Sequence, residues 1–291
     1  MIYIVIPTFN EKKFIKELIE QLNDQTISDF KIIISDNRSS DGTDNMIVKK
    51  YPYVDLVLND ESYWWTKSTN AGIQHALKNA TENDFILTIN CDTIVKKDYL
   101  NNLLICNKKN PNNLIGSVTV DLDSNLIKFG GVIVNKWTAK YQRINHNENY
   151  DNVCKNTHNM TIKSSTLPGR GILIPIPIIK KIGLFDEMLP QYFADYEFGF
   201  RAGKNSIQPI VCYDAPVYTH MKNTGLNNEL RKLSFSQFIY SFFTRRSPHF
   251  LLKRAVYIYK SFGIKFFLIH LPLDFLRLIV GSSLRQFKNQ H

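Results

Sequence analysis

Several short stretches of this chain bring together side chains that could do chemistry. Pro7-Thr8-Phe9-Asn10-Glu11 follows an apolar run, Ser35-Asp36-Asn37-Arg38-Ser39-Ser40-Asp41-Gly42-Thr43 follows a second, and Asn90-Cys91-Asp92-Thr93 follows a third. Later, Ala194-Asp195-Tyr196-Glu197 puts two carboxylates at the start of a helical pattern, and His220 closes the strand-like run Val217-Tyr218-Thr219. A carboxylate such as Asp36 can accept a hydrogen bond from a pyrimidine imide, and one such as Asp92 can hold a divalent cation against a diphosphate. Each group also has a plainer reading. Asp, Asn, Ser and Gly form turns, and an acid near a helix N-terminus caps it.

What decides between these readings is the set of elements that must position the residues. Tyr3–Ile6, Lys31–Ile34, Val54–Leu58 and Phe85–Ile89 read as strands. Glu11–Asn23, with Phe14, Leu18, Ile19 and Leu22 at helical spacing, and Asn70–Asn79 read as helices, and Asp41 is placed to cap the helix after the second strand. Strands alternating with helices predict an α/β fold with a mostly parallel, Rossmann-like sheet flanked by helices. Ligands of such sheets bind beyond the carboxyl ends of the strands. Three polar clusters projecting onto that one edge favour a polar-ligand site over three unrelated turns. Residues 114–136 continue as strands, and Asn135 to Thr166 is a long Asn-rich stretch of the kind that is functional or disordered. His146, Cys154 and His158 within it lack metal-ligand spacing and read as surface residues.

Several chemistries are excluded by what the sequence lacks. No G-x-x-x-x-G-K-[ST] is present, and Gly169-Arg170-Gly171 lacks the third glycine of a dinucleotide fingerprint. A calcium loop starting at Asn37 fails at its twelfth position, Val48. The four cysteines, Cys91, Cys106, Cys154 and Cys212, form no C-x-x-C pair, which argues against a zinc or disulfide framework and fits a reducing compartment. The opening residues carry no basic, small-residue leader, so no secretory signal is expected.

The 291 residues hold 36 basic and 26 acidic side chains, a formal charge of +10. Residues 231–291 hold eleven of the basic ones against Asp274 alone, so the whole excess sits there, together with ten of the 19 phenylalanines. From Phe250 to Phe262, Leu251, Ala255, Ile258 and Phe262 share a helical face with Leu252, Val256 and Tyr259 beside it, while Lys253, Arg254 and Lys260 lie toward the other side. From Leu273 onward, Asp274, Arg277, Gly281, Arg285 and Lys288 form a polar stripe opposite Leu276, Ile279 and Val280. Basic amphipathic helices suit an anionic membrane surface. The other readings are helices packed on the protein with solvated cations, and nucleic-acid binding, for which no motif accompanies the charge. The apolar run Ile264 to Val280 is too short and too interrupted by charge to span a bilayer.

Taken in order, these pieces resemble family 2 glycosyltransferases of the GT-A fold. Val5-Ile6-Pro7-Thr8-Phe9-Asn10-Glu11 is similar to the family's opening strand and loop, Ser35 to Thr43 to its nucleotide loop, and Asn90-Cys91-Asp92 to its D-x-D position. Gly183-Leu184-Phe185-Asp186-Glu187 followed by Ala194-Asp195 is similar to its acceptor and base segment. The resemblance covers about residues 1–220 and implies a catalytic domain over 1–230, with a nucleotide-sugar half to about residue 110 and an acceptor half beyond it, followed by the helical region 231–291. It implies that Thr8, Glu11, Asp36, Asn37 and Asn90 hold the nucleotide, that Asp92 and His220 coordinate Mn²⁺ or Mg²⁺, and that Asp195 is the general base of an inverting transfer. Lys67, Arg170 and Glu197 are candidate diphosphate or acceptor contacts, the cations being equally readable as solvated loop residues. Trp64 and Trp65 either stack on sugar or pack internally. The implied partners are a UDP- or dTDP-sugar and a glycan or lipid-linked acceptor of surface-polysaccharide synthesis. The implied location is the inner face of the plasma membrane, reached through residues 231–291. The rival readings are a sugar-nucleotide nucleotidyltransferase and a non-catalytic nucleotide- or membrane-binding module.

Overall fold

A computed structural model describes residues 1–155, 160–220, 235–244, 247 and 249–288. Two compact units divide the chain: Met1–Val132 with Arg143–Thr219, and Ile133–Gln142 with His220–His291.

The first unit begins with β1 (Ile2–Thr8), buried along its whole length as befits a strand covered on both faces. Helix α1 (Lys12–Asn23) then buries Ile15, Leu18, Ile19 and Leu22, one stripe at helical spacing. There follow β2 (Phe30–Asp36), α2 (Thr43–Lys50), β3 (Asp55–Leu58), α3 (Trp65–Leu77) and β4 (Phe85–Thr88). All the pairings among these four strands are parallel, in the order β4-β1-β2-β3. Asp41 joins two helices rather than one, since Oδ2 accepts the Lys12 N–H at 2.9 Å and Oδ1 accepts the Thr43 N–H at 3.1 Å. Helix α3 starts five residues before the predicted Asn70. Its first turn is fixed from outside, with the Thr66 hydroxyl donating to the Leu189 carbonyl at 2.6 Å.

Next along the chain come β5 (Thr93–Ile94), α4 (Tyr99–Lys109), β6 (Leu114–Asp121), β7 (Ile127–Phe129), β8 (Val132–Asn135), β9 (Lys140–Arg143) and α5 (Tyr150–Cys154), of which β8 and β9 pair with each other and fall mostly in the second unit. The described part of the Asn-rich stretch is thus ordered. Its asparagines make turns: Asn145 and Asn147 take left-handed backbone, Asn149 caps α5, and Asn135 accepts the N–H groups of Trp137 and Thr138. His146 hydrogen-bonds the Lys128 carbonyl, while His158 lies outside the described residues. The unit closes with β10 (Thr161–Lys163), β11 (Ile172–Pro175), α6 (Ile176–Ile182), α7 (Ala194–Lys204) and β12 (Pro209–Thr219). The full path is β10-β12-β6-β11-β4-β1-β2-β3, with β11 antiparallel to both its neighbours and β12 parallel to β6.

In the second unit, α8 (Phe235–Ser241), α9 (Leu251–Phe262) and α10 (Ile264–Lys288) follow. Helix α9 matches the predicted span to within one residue and buries Ile258 and Phe262 of the predicted apolar face, but it departs at Lys253, Leu252 and Tyr259. It buries Lys253, Tyr257, Ile258, Ser261 and Phe262, and exposes Leu252 and Tyr259. Asp274 and Arg277 of the predicted polar stripe are engaged within the unit. Asp274 pairs with Arg254, and Arg277 donates to the carbonyls of Thr138 and Ala139. The side chains of Ile279, Gly281, Arg285 and Lys288 lie outside the described residues. Among the described residues no helix is long and apolar enough to cross a membrane.

The closeness of α3 to the sheet is testable. It packs through Gly72, where an added Cβ would lie 2.5 Å from Cγ1 of the fully buried, β-branched Val5. Gly72→Ala should cost about 1–3 kcal/mol of stability and lower Tm by several degrees in a thermal melt. An unchanged Tm would mean that the helix and sheet are not held at this distance.

Candidate active site

The carboxyl ends of β1 and β2 meet in a buried polar pair. Asp36 is fully buried, and its two oxygens accept the Ser39 hydroxyl at 2.5 Å and the Ser39 N–H at 3.1 Å. Burial pushes its carboxyl above the ordinary aspartate range, against the opposing pull of those two hydrogen bonds. Thr8 is also buried, and its Oγ1 has no hydrogen-bond partner. A buried hydroxyl without a partner is costly. Asn37 donates its amide to the Tyr63 carbonyl at 2.8 Å and accepts from Asn59 at 3.1 Å, so its side chain holds the loop after β3.

At the end of β4, Asn90 accepts the Trp65 indole N–H at 2.9 Å. Trp65 is packed, edge-on to Phe185 at 5.3 Å and against Gly169, where a Cβ would lie 2.4 Å from its ring. That agrees with the packing reading and makes Trp65 a residue that positions Asn90. Trp64 is half-buried ahead of α3, and exposed Lys67 lies over the Tyr63 ring at 5.4 Å. Cys91, which the sequence did not single out, hydrogen-bonds the Glu11 carboxylate and so ties the β1 loop to the β4 loop. Burial raises the Glu11 carboxyl above its usual range, the Cys91 hydrogen bond opposes this, and the Asp92 charge adds to it.

The segment Gly169-Arg170-Gly171 connects these loops to α7. Its Gly169 N–H donates to Asp195 Oδ2 at 2.8 Å, and Tyr196 N–H donates to Oδ1 at 2.9 Å. Arg170 reaches Asp92 at 3.4 Å and the Thr219 hydroxyl at 3.3 Å. Burial lifts the Asp195 carboxyl above the ordinary range, opposed by the two backbone N–H groups and by the Arg170 charge. Arg170 therefore acts electrostatically on Asp92, Asp195 and Glu11 together. Strained backbone surrounds the site: Asn10, Arg38 and Phe193 have φ of +56°, +55° and +72°. Left-handed arginine and phenylalanine are costly, and such outliers cluster at functional sites.

Glu197 does not stand in the site as a free acid. It is buried, bonded by Arg201 at 2.9 Å, and Arg201 also donates to the carbonyls of Ile182 and Leu184. The pair clamps the loop between α6 and α7, and its i,i+4 spacing is the signal that could have revealed it. His220 directly follows β12 and belongs to the second unit. A groove of about 680 Å³ between the starts of α1 and α2 contains Glu11 and Asp41 but none of Asp36, Asp92 or Asp195.

Among the described residues no three His, Cys, Asp or Glu side chains converge as a metal cluster. In the loop after β4, Asp92, loosely paired with Arg170 at 3.4 Å, is a carboxylate available to a cation, whereas Asn90 Oδ1 is engaged by Trp65 and Glu11 by Cys91. Such a donor set fits an ion that arrives with a diphosphate and takes most of its ligands from phosphate and water.

Three comparisons bear on this architecture. The family model described as "Glycosyl transferase family 2" matches residues 3–166. An uncharacterized glycosyltransferase of Rickettsia typhi (strain ATCC VR-144 / Wilmington) is 24% identical over 203 residues, 69% of this chain and 58% of the relative, so the chain spans little more than half of that protein. The crystal structure of GalNAc-T7 with UDP, GalNAc and Mn²⁺ superposes over 94% of this chain and 57% of its own, at 14% identity and TM-score 0.60. That of S. aureus TarS covers 90% of this chain and 44% of its own, at 16% identity and TM-score 0.52. These likenesses establish the GT-A fold, a mainly parallel sheet flanked by helices.

The raised carboxyl of Asp195 has a signed consequence for stability. The folded protein holds this proton to higher pH than the unfolded chain, so ionisation withdraws stability as pH rises from 3.8 through the folded value. The Tm of Asp195→Asn minus that of the wild type should become more positive from about pH 4 to about pH 7. A flat or falling difference in calorimetry would show that the carboxyl is not raised.

Proposed function

Because the chain belongs to glycosyl transferase family 2, we propose that it transfers a sugar from a UDP- or dTDP-sugar to a hydroxyl of a glycan or lipid-linked acceptor, with inversion. The observation that carries this reading is the segment Gly169-Arg170, which bonds Asp195 through its first residue and pairs with Asp92 through its second, while the buried Thr8 and Asp36 stand at the ends of β1 and β2. Asp36 accepts the imide N–H of a pyrimidine, and the unpartnered Thr8 hydroxyl takes a neighbouring atom of the base. Asn90, its carbonyl oxygen engaged by Trp65, presents its NH₂ as a donor to oxygen atoms of the sugar nucleotide.

Asp195 removes the proton from the acceptor hydroxyl as that oxygen attacks the anomeric carbon and the nucleoside diphosphate departs from the opposite face. Two backbone N–H bonds fix the carboxylate's orientation, and its raised affinity for a proton makes it a stronger base than an exposed aspartate. Arg170 faces the leaving diphosphate as well as Asp92, and offsets charge where it develops. Asp92 would help hold Mn²⁺ or Mg²⁺, which when bound neutralises diphosphate charge. A structure of this fold solved with UDP, GalNAc and Mn²⁺ supports the use of a divalent cation. We further propose that the basic C-terminal region brings the protein to the anionic cytoplasmic face of the plasma membrane, where a lipid-linked acceptor for surface polysaccharide would be met.

Two measurements test this. Thermal stability across a panel of sugar nucleotides, each with Mn²⁺ and with EDTA, should rise with one UDP- or dTDP-sugar, by about 2.7 kcal/mol at 100 times its Kd. Stabilisation by a nucleoside triphosphate alone would instead indicate nucleotidyl transfer. With the donor fixed, Asp195→Asn should lower kcat by about 10²–10⁴-fold while donor Kd changes little. Full turnover in that variant would remove Asp195 from its role.

A further inference from the structure

The helices of the second unit carry apolar side chains on both faces: α9 buries Tyr257, Ile258 and Phe262 yet exposes apolar side chains as well. On α9 the solvent-facing side chains are Leu252, 64% exposed, and Tyr259, seven residues on, whereas Lys253 is only 7% exposed. On α10 Ile264, Leu268, Leu276 and Val280 are exposed, Leu268 by 71%. Those four positions fall within one half of the helix circumference. The other half carries the half-buried Phe266, Phe267, Leu271 and Leu278 together with polar groups. His270 bonds the Lys136 carbonyl at 2.6 Å, Asp274 holds Arg254 at 2.5 and 2.7 Å, and Arg277 reaches the carbonyls of Thr138 and Ala139. The single acid of residues 231–291 is consumed in that interior pair.

Exposed aliphatic side chains grouped on one helix face in water mark an interaction site. The charge of the region identifies the occupant. Eleven Lys and Arg against one acid repel a second copy of the same region and attract an anionic surface. At the edge of the face, exposed Lys265 lies 5.1 Å over the ring of exposed Trp137, the tryptophan–lysine pairing found at membrane–water interfaces. We infer that the outward apolar face of α9 and α10 inserts into the interfacial layer of an anionic phospholipid bilayer, parallel to its plane, with Lys265 and Trp137 at headgroup level. The inference rests on the membrane-surface reading proposed above and replaces its basic contact face with an apolar one.

Flotation of the full chain with phosphatidylcholine–phosphatidylglycerol vesicles tests it. Wild type should remain bound at high salt, and Leu268→Asn combined with Leu276→Asn should weaken binding about tenfold or more while Tm and sugar-nucleotide binding are kept. Lys265→Gln should weaken binding only at low salt. Trp137 emission should shift to the blue on vesicle addition, a shift absent from Trp137→Phe. Binding that high salt abolishes and the double asparagine variant retains would overturn the apolar contact and leave the membrane reading standing. No binding to any vesicle would overturn both. A dimer in vesicle-free solution that the double variant converts to monomer would assign the face to a second copy and overturn the lipid assignment.

Discussion

Gly169-Arg170-Gly171 is the joint on which the candidate site depends. Its backbone is fixed on one side by β4, through the Gly171 N–H to the Thr88 carbonyl at 2.8 Å, and on the other by β6, through Ser117 N–H to the Gly171 carbonyl at 2.9 Å. Neither glycine can carry a side chain: at 169 it would strike Trp65, and at 171, with φ of +81°, it would strike Ser117 and Tyr99. With both ends fixed, one N–H orients Asp195 and one guanidinium meets Asp92. The antiparallel β11 that follows this segment lies between β4 and β6, so it brings α7 and its carboxylate to the edge where β1, β2 and β4 end. The segment thus couples the two halves of the first unit.

Charge around that joint is balanced rather than paired off. Asp195, Glu11 and Asp36 all sit where burial disfavours their ionised forms, and each is opposed by hydrogen bonds. Only Asp92 has a formal ion pair with Arg170, at 3.4 Å, longer than a tight charge-assisted bond. A loose pair of this kind leaves both partners able to turn toward incoming charge. The tightly held charges lie elsewhere, in Glu197–Arg201, whose work is to fix the loop ahead of α7.

Much of this was legible in the sequence because it is local. Alternating apolar runs and helical stripes placed β1 to β4, and the turn-forming clusters Ser35 to Thr43 and Asn90 to Thr93 stand at their carboxyl ends. Close approach was less legible. The two glycines around Arg170 were visible, but which chain passes against them is a matter of tertiary contact, as is the indole of Trp65 on Asn90. The second unit shows a different limit. Periodicity groups Ile258 and Phe262, which are buried, but it does not foresee that Lys253 is buried with them or that Arg254 and Arg277 find partners within the unit.

The orphaned hydroxyl of Thr8 bears on selectivity. A base that meets it with a suitable atom removes a standing penalty of about 1–3 kcal/mol, whereas one that does not leaves the penalty in place. Discrimination between nucleotides would then reside less in attraction for the right base than in the unrelieved cost of the wrong one. On that scale a single buried oxygen would separate two bases by about five- to 150-fold without any charged contact changing.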